Sequence, residues 1–161
     1  MPPNAPILEP GTLNVEQIVD DKAGIRAWVP QRHEFEMLDA IVHYDGSALV
    51  AVALKEIAAG DFWVRGHIPG RPLFPGVLMI ESAAQLCCYC FCRANREKRF
   101  FAFGGVDAVR FRGTVVPGDR LLLMAKAKKA RSNLGVFDTQ GFVDGRLVFE
   151  AVITGIVLPG S

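Results

Sequence analysis

The stretch "FPGVLMIESAAQLCCYCFCR", Phe74 to Arg93, decides how the rest of the chain must fold. It opens on Pro75-Gly76, and proline suits a first helical turn because its missing N–H would have had no partner there. From Val77 to about Arg93 nothing breaks the helix. "ANREKR" then ends it with cations, which the C-terminal pole of the helix dipole favours. The segment is apolar almost all round, so other structure has to wrap it. The run from Val77 to Cys92 is shorter than the roughly 20 residues a membrane span needs, and it carries Glu81 and Gln85. It reads as the buried helix of a soluble domain, with no membrane insertion.

Strand signals lie on both sides. "FEMLDAIVHYD" and "SALVAVALKEI" are two β-capable runs around Asp45-Gly46, a hairpin pattern. After the helix come "RFFAFGGVDAVRFR", "TVVPGD", "RLLLMAKAKKA", a turn at "RSNLG", "VFDTQGFV", a second Asp-Gly at 144–145, and "RLVFEAVITGIVL". The outline is one hairpin, one long helix and three or four antiparallel strands, an α+β chain without βαβ alternation. An all-round apolar helix in such a chain needs a sheet curled about it. Residues 1–12 hold Pro2, Pro3, Pro6, Pro10 and Gly11 and read as a flexible arm; residues 13–161 read as a single domain, with a short helix over 13–19 capped by Asn14.

Half of the 161 residues are hydrophobic and the net charge is +1, so the chain is neither disordered nor drawn as a whole to nucleic acid. The N-terminus lacks the basic start and apolar run of a secretory signal, which predicts a cytoplasmic protein. Cys87, Cys88, Cys90 and Cys92 crowd one helix, where each residue turns by about 100°, so they cannot converge on a metal. They read as small hydrophobes in a reducing compartment. No metal and no cofactor are expected.

Two chemical groups stand out. His67 sits in a loop stiffened by Pro69, Pro72 and Pro75, and Glu81 sits in the greasiest segment of the chain. A stiff loop holds an imidazole still and a helix holds a carboxylate still, which suits paired acid–base work. Gly76 adds a helix N-terminal amide that lacks an internal partner and faces the positive pole, a place for an oxyanion. Gln85, one turn after Glu81, either orients the glutamate or a water, or satisfies a buried amide. Phe74 and Val77 are apolar candidates for substrate contact. Phe62, Trp63, Phe101 and Phe103 read as tunnel or gate residues, or as plain core. His33 and His43 read as surface or interface residues.

"GHIPGRPLFPGVLMIESAAQ", Gly66 to Gln85, resembles the signature of the β-hydroxyacyl-acyl carrier protein dehydratases of the FabZ type, in the hot-dog fold superfamily. The pattern is carried by His67, Pro69, Gly70, Arg71, Pro72, Phe74, Pro75, Gly76, Val77, Leu78, Glu81, Ala84 and Gln85. "VRFRGTVVPGD", Val109 to Asp119, is similar to a later family segment, and "PQRHEFEMLD", Pro30 to Asp39, to an early one. The likeness covers roughly residues 25 to 158.

The resemblance implies a long helix wrapped by a curved antiparallel sheet, and a homodimer or a hexamer built as a trimer of dimers. The histidine of one subunit would meet the glutamate of the other. The implied reaction is dehydration of 3-hydroxyacyl-acyl carrier protein to the trans-2-enoyl thioester in fatty acid or related acyl synthesis. His67 would take the α-proton, Glu81 would assist the departing hydroxyl, and the Gly76 N–H would bind the thioester carbonyl. Glutamate at 81 favours the plain dehydratase over the relative that also isomerises. The chain departs from the pattern at Ile68, where the family has Phe, and at Gln31 and Glu34, where it has His and Pro. Two other readings stay open: a hot-dog acyl thioesterase, and a non-catalytic acyl-binding paralogue. Arg65, Arg71, Arg96, Lys98 and Arg99, with Arg93, read either as solvated charge or as a docking patch for acidic acyl carrier protein.

Overall fold

The apolar stretch forms one helix, α2 (Gly76–Asn95), with Pro75 as its N-cap. It runs one residue earlier and two later than the sequence predicts. Arg96 closes it in the left-handed region, φ 54°, and the Glu97 amide returns to the Cys92 carbonyl (3.2 Å). This closure satisfies carbonyls that a helix end otherwise strands. At 20 residues α2 is long and apolar enough to cross a membrane, which corrects the length estimate from Val77–Cys92. What it meets instead is protein: Met79, Ser82, Ala83 and every residue from Gln85 to Cys92 are buried. The coordinates are a computed structural model that describes residues 2–158; Met1 and residues 159–161, the outer ends of the expected arm and domain, lie outside the described residues.

Among the described residues six strands make one antiparallel sheet in the order β1-β2-β4-β5-β6-β3. They are β1 (Ala40–Asp45), β2 (Val50–Glu56), β3 (Phe101–Phe111), β4 (Arg120–Arg131), β5 (Leu134–Val143) and β6 (Arg146–Val157). The helix follows β2 near one edge and delivers the chain to β3 at the other, so α2 lies across the sheet and contacts β2, β3, β4, β5 and β6. This is the hot-dog arrangement. Its inner face carries Ala51, Ala53 and Ala125, small enough to let the helix close in, beside Leu121, Leu123, Phe137, Phe149 and Ile153. A second contact fixes the far half of the helix. Arg93 donates to Asp20 Oδ2 (2.7 Å) and lies over the Tyr44 ring (4.3 Å), and the Tyr89 hydroxyl also bonds to Asp20.

The outer face of the sheet is also apolar. Val42, Val52, Leu54, Leu122, Met124 and Phe142 form a second cluster, covered by Ile7, Leu8, Leu13 and Val15. The proline-rich stretch expected as a loose arm is therefore laid on the sheet. Gln140 accepts from the Ile7 amide (2.7 Å) and donates to the Ala5 carbonyl (3.0 Å), and the buried Glu150 accepts from Asn4 (3.1 Å) and Arg112 (2.8 Å). The expected helix over 13–19 does not form. Asn14 instead closes a local turn, accepting from the Glu16 amide through Oδ1 and from the Gln17 amide through its carbonyl. Such side chains compete with the helix by offering the backbone another partner. The helix that does form is α1 (Lys22–Arg26), capped by Asp21 through the Gly24 amide (3.0 Å).

The two Asp-Gly pairs behave differently. Asp144 (φ 49°) and Gly145 (φ 73°) both take positive φ, as a two-residue type I′ hairpin demands. Asp45 instead stays in β1 and its carboxylate accepts from the Ser47 and Ala48 amides (2.9 and 3.0 Å), which widens the loop to residues 46–49.

All four cysteines are unpaired and buried in the helix. Burial pushes the Cys90 thiol up to about 12 and Cys87 well above its ordinary value, so both stay neutral. The inner face ends at a stacked pair, Phe91 on Phe101 (4.4 Å, 17°). Phe101 fits because Gly155 and Gly135 lack side chains beneath its ring. A methyl group at Gly155 would run into that ring, which Phe91 holds in place on its other side. Gly155→Ala is expected to destabilise the fold by about 1–3 kcal/mol, read as an earlier midpoint in urea unfolding.

Candidate active site

The loop before α2 is built from the bottom up by its own hydrogen bonds. Asp61 Oδ2 accepts from the Ala58 amide and from Trp63 Nε1 (both 3.3 Å), and pairs with the ammonium of Lys55 (3.7 Å) on β2. Trp63 is thereby set into the core against Phe74 (5.4 Å, edge-on). Its carbonyl accepts the His67 amide (2.8 Å), and the His67 carbonyl accepts the Leu73 amide (2.9 Å). Between them Ile68 and Arg71 close a turn (2.8 Å) with Pro69 and Gly70 at its centre, Gly70 at φ 74°. Pro then Gly with positive φ is the requirement of a type II turn. The His67–Ile68 peptide bond is cis.

Within this frame the imidazole of His67 meets the Leu73 carbonyl through Nδ1 (2.7 Å). A carbonyl only accepts, so Nδ1 carries a proton, and in the neutral ring the lone pair is on Nε2. His67 is exposed, which leaves that lone pair available.

The start of α2 is fixed by the segment Val109–Asp119. Val115 accepts the Phe74 amide (2.8 Å), and the Phe111 ring lies on Gly76 so closely that a Cβ there would fall 2.6 Å from it. Gly76 is thus required by a packed ring. The amides of Gly76 and Val77 donate to no acceptor among the described residues, and no side chain caps this end. The helix opens with free N–H groups at its positive pole.

Five residues into the helix, Glu81 is half-buried and held through one oxygen. Its Oε1 accepts from Gln85 Nε2 (2.8 Å) and from Gln31 Nε2 (3.3 Å), while no bond among the described residues occupies Oε2. Gln85 is only 1 % exposed and fully committed. Its Oε1 takes the Met37 amide (3.0 Å), a group that can only donate, and this turns Nε2 toward the Phe35 carbonyl (2.7 Å) and Glu81. The orientation of the amide is therefore set by its neighbours. The Gln85 amide is thus satisfied by the backbone and also donates to the glutamate.

Gln31, which sequence reasoning noted only as a departure, is the residue it missed. Its contact with Glu81 crosses 50 positions of sequence, and the segment Pro30–Asp39 offers no periodicity that points across that gap. Its own Oε1 is buried without a hydrogen-bond partner. Gln31, Glu81, Ala84 and Cys88 line one side of a cavity of about 50 Å³, with Phe101–Phe103 and Ile153–Gly155 on the other.

His67 is not among the residues lining that cavity, and no hydrogen bond or ion pair joins it to Glu81 within the chain. The outer side of β3, the last strand of the sheet, has no partner among the described residues, and Phe103, Phe111 and Ile156 are exposed along it and its neighbour, with Val77 71 % exposed at the helix start. Phe74, expected to touch substrate, is instead 3 % exposed and anchors the loop in the core. The candidate docking cations do not form one patch. Arg65 and Arg71 are exposed on the His67 loop, whereas Arg96, Lys98 and Arg99 lie past the opposite end of a 20-residue helix, itself about 30 Å long at 1.5 Å per residue. Arg99 is tied to Glu97 and the Ser132 carbonyl, and Arg93 to Asp20.

Comparison with known proteins matches residues 29–152 to the FabA-like domain family. The 3-hydroxyacyl-[acyl-carrier-protein] dehydratase FabZ of Teredinibacter turnerae is 38 % identical over 134 residues, 80 % of this chain and 90 % of that protein. The FabZ of Neisseria meningitidis serogroup C is 32 % identical over 140 residues, 85 % and 93 %. That of Erwinia tasmaniensis is 30 % identical over 148 residues, 90 % and 93 %. Among solved structures, the dehydratase heterocomplex ApeI:P from Xenorhabdus doucetiae superposes with a TM-score of 0.72 at 13 % identity, covering 84 % of this chain and 91 % of that one. Cj0977, a sigma28-regulated virulence protein from Campylobacter jejuni, gives 0.65 at 18 %, covering 91 % and 96 %. These two likenesses bear on the fold. The sequence matches, spanning nearly the whole length of their relatives, carry more: the chain belongs to the FabA-like family, among the FabZ-type 3-hydroxyacyl-[acyl-carrier-protein] dehydratases.

Proposed function

We propose that this chain dehydrates 3-hydroxyacyl groups carried on acyl carrier protein to trans-2-enoyl thioesters, in a homodimer whose sites each pair His67 of one subunit with Glu81 of the other. The observation that carries the reading is complementary: His67 is tied at Nδ1 and offers Nε2, and Glu81 is tied at Oε1 and offers Oε2. Each group is held by one atom and presents the other.

The thioester oxygen is bound by the free amide of Gly76, which stabilises the negative charge that develops there as the α C–H bond breaks. Nε2 of His67 receives that proton. The C–O bond at C3 then breaks, and the hydroxyl leaves as water with a proton from the Glu81 carboxyl. The electron pair of the broken C–H bond becomes the double bond. Proton return from imidazolium to carboxylate, through the water or solvent, resets the site. The acyl chain beyond C3 runs between the helix and β3, with the exposed Val77 as a further apolar contact.

The dimer is supported by the edge strand. An unpaired β3 bearing exposed Phe103 and Phe111 is the kind of edge that proteins cover. Two copies joined there extend the sheet and bring a second helix start and loop toward each cavity. Arg65 and Arg71, exposed on the same loop as His67, suit an acidic carrier that must deliver its thioester beside the imidazole.

His67→Ala and Glu81→Ala are each expected to lower hydration of a crotonyl thioester by about 100- to 10,000-fold, with an unchanged melting temperature, followed by enoyl absorbance. Full activity in either variant, or free thiol release in place of the enoyl signal, would sink the reading. Co-expression of the two variants tests the shared site: half the dimers are hybrids with one intact site, so about a quarter of wild-type activity should return. No recovery would put both groups in one subunit. Arg65→Glu with Arg71→Glu should raise KM for carrier-borne substrate by about tenfold and leave KM for a short thioester mimic unchanged. Equal effects on both would exclude docking there.

A further inference from the structure

We propose that Gln31 is a positioning residue for Glu81, fixing the carboxyl through Oε1 so that Oε2 faces the substrate. The proposal rests on the reading of Glu81 given above.

One tether does not fix a carboxyl group. The terminal torsion of glutamate is broad and roughly two-fold, so a single donor leaves the plane of the group free to swing. Gln85 supplies one donor from the next turn of the same helix (2.8 Å). Gln31 supplies the second from a different part of the chain (3.3 Å). Two N–H groups on one oxygen from two directions define where the other oxygen points.

The segment that brings Gln31 in is itself pinned. The Arg32 guanidinium donates to the carbonyls of Val29 (2.7 Å), Gln31 (2.6 Å) and Arg26 (3.1 Å), gathering the chain after α1 around one cation. Arg26 in turn forks onto Glu36 (2.6 and 2.9 Å). Three and five residues after Arg32, the Phe35 carbonyl and the Met37 amide hold Gln85. Both tethers on Glu81 thus depend on the stretch 26–37, one directly and one through Gln85.

The buried, unpartnered Oε1 of Gln31 points the same way. A buried acceptor without a donor weakens a fold. A methionine at this position would keep the length and shape of the side chain and remove the defect. The amide is carried although stability alone would not select it, and the one hydrogen bond its side chain makes goes to Glu81. Such a local conflict between stability and structure is characteristic of working sites.

The test uses the full-length protein and compares Q31M, Q31A and E81A. Q31M should lose about 10- to 100-fold in kcat, the size of effect that misplacing a reacting group produces, with KM within about twofold of wild type. Its melting temperature should equal or exceed that of wild type, which a purely structural role for Gln31 does not predict. Q31A, which leaves a gap, should lose at least as much kcat, and it carries the comparison if Q31M fails to fold. Wild-type kcat in either Gln31 variant, with E81A inactive, would overturn the role of Gln31 alone. In Q31M, which leaves no gap, a fall in kcat that tracks a fall in melting temperature would do the same. An active E81A would overturn the reading of Glu81 and this proposal together.

Discussion

The site depends on one buried amide. Gln85 accepts a hydrogen bond from the Met37 amide and donates one to the Phe35 carbonyl and one to Glu81. Sealed inside the protein, such a group must have all of its partners. The requirement works in both directions: the segment before β1, with its short 3-10 turn at His33–Phe35, is drawn onto the helix through Gln85, and Glu81 is held because Gln85 is already fixed. A carboxyl group in the apolar wall of a domain is a liability unless fixed hydrogen-bond partners answer it. Here the answer is built into the next helical turn.

The same economy shapes the histidine. Its ring closes the turn in which it sits, since Nδ1 bonds to the Leu73 carbonyl and the backbone of His67 is clamped by Trp63 and Leu73. The tautomer is a consequence of loop geometry and needs no carboxylate beside the ring. The segment Val109–Asp119 completes the frame from the far edge of the sheet, holding Phe74 by its amide and Gly76 by the Phe111 ring.

Much of this was legible in the residues. The helix, the strands after it, the hairpin at 144–145 and the prominence of His67, Glu81 and Gly76 follow from local chemistry, because each depends on neighbours within a few positions. What was not legible depends on distance. Gln31 meets Glu81 across 50 residues, and Phe74, apolar and beside the motif, could equally have faced a ligand or the core. Asn14 misled because an N-cap and an Asx turn begin with the same side chain and differ only in the backbone beyond it. The cations were open between solvated charge and docking for a simpler reason: sequence does not show that the length of the helix parts Arg65 and Arg71 from Arg96, Lys98 and Arg99.

β2 reads "VAVALK" without alternation, and all six of these residues are buried. The strand is hidden on both faces, by the helix on one and by residues 7–15 on the other. The sheet is therefore the middle layer of a three-layer stack, and the N-terminal segment is a lining rather than a tail. Gln140 and Glu150, polar residues on strands, are its fasteners. A shortened form of this protein that begins at residue 16 would keep every group of the site yet turn a greasy flank of the sheet toward water, and its first failure would be stickiness, not lost chemistry.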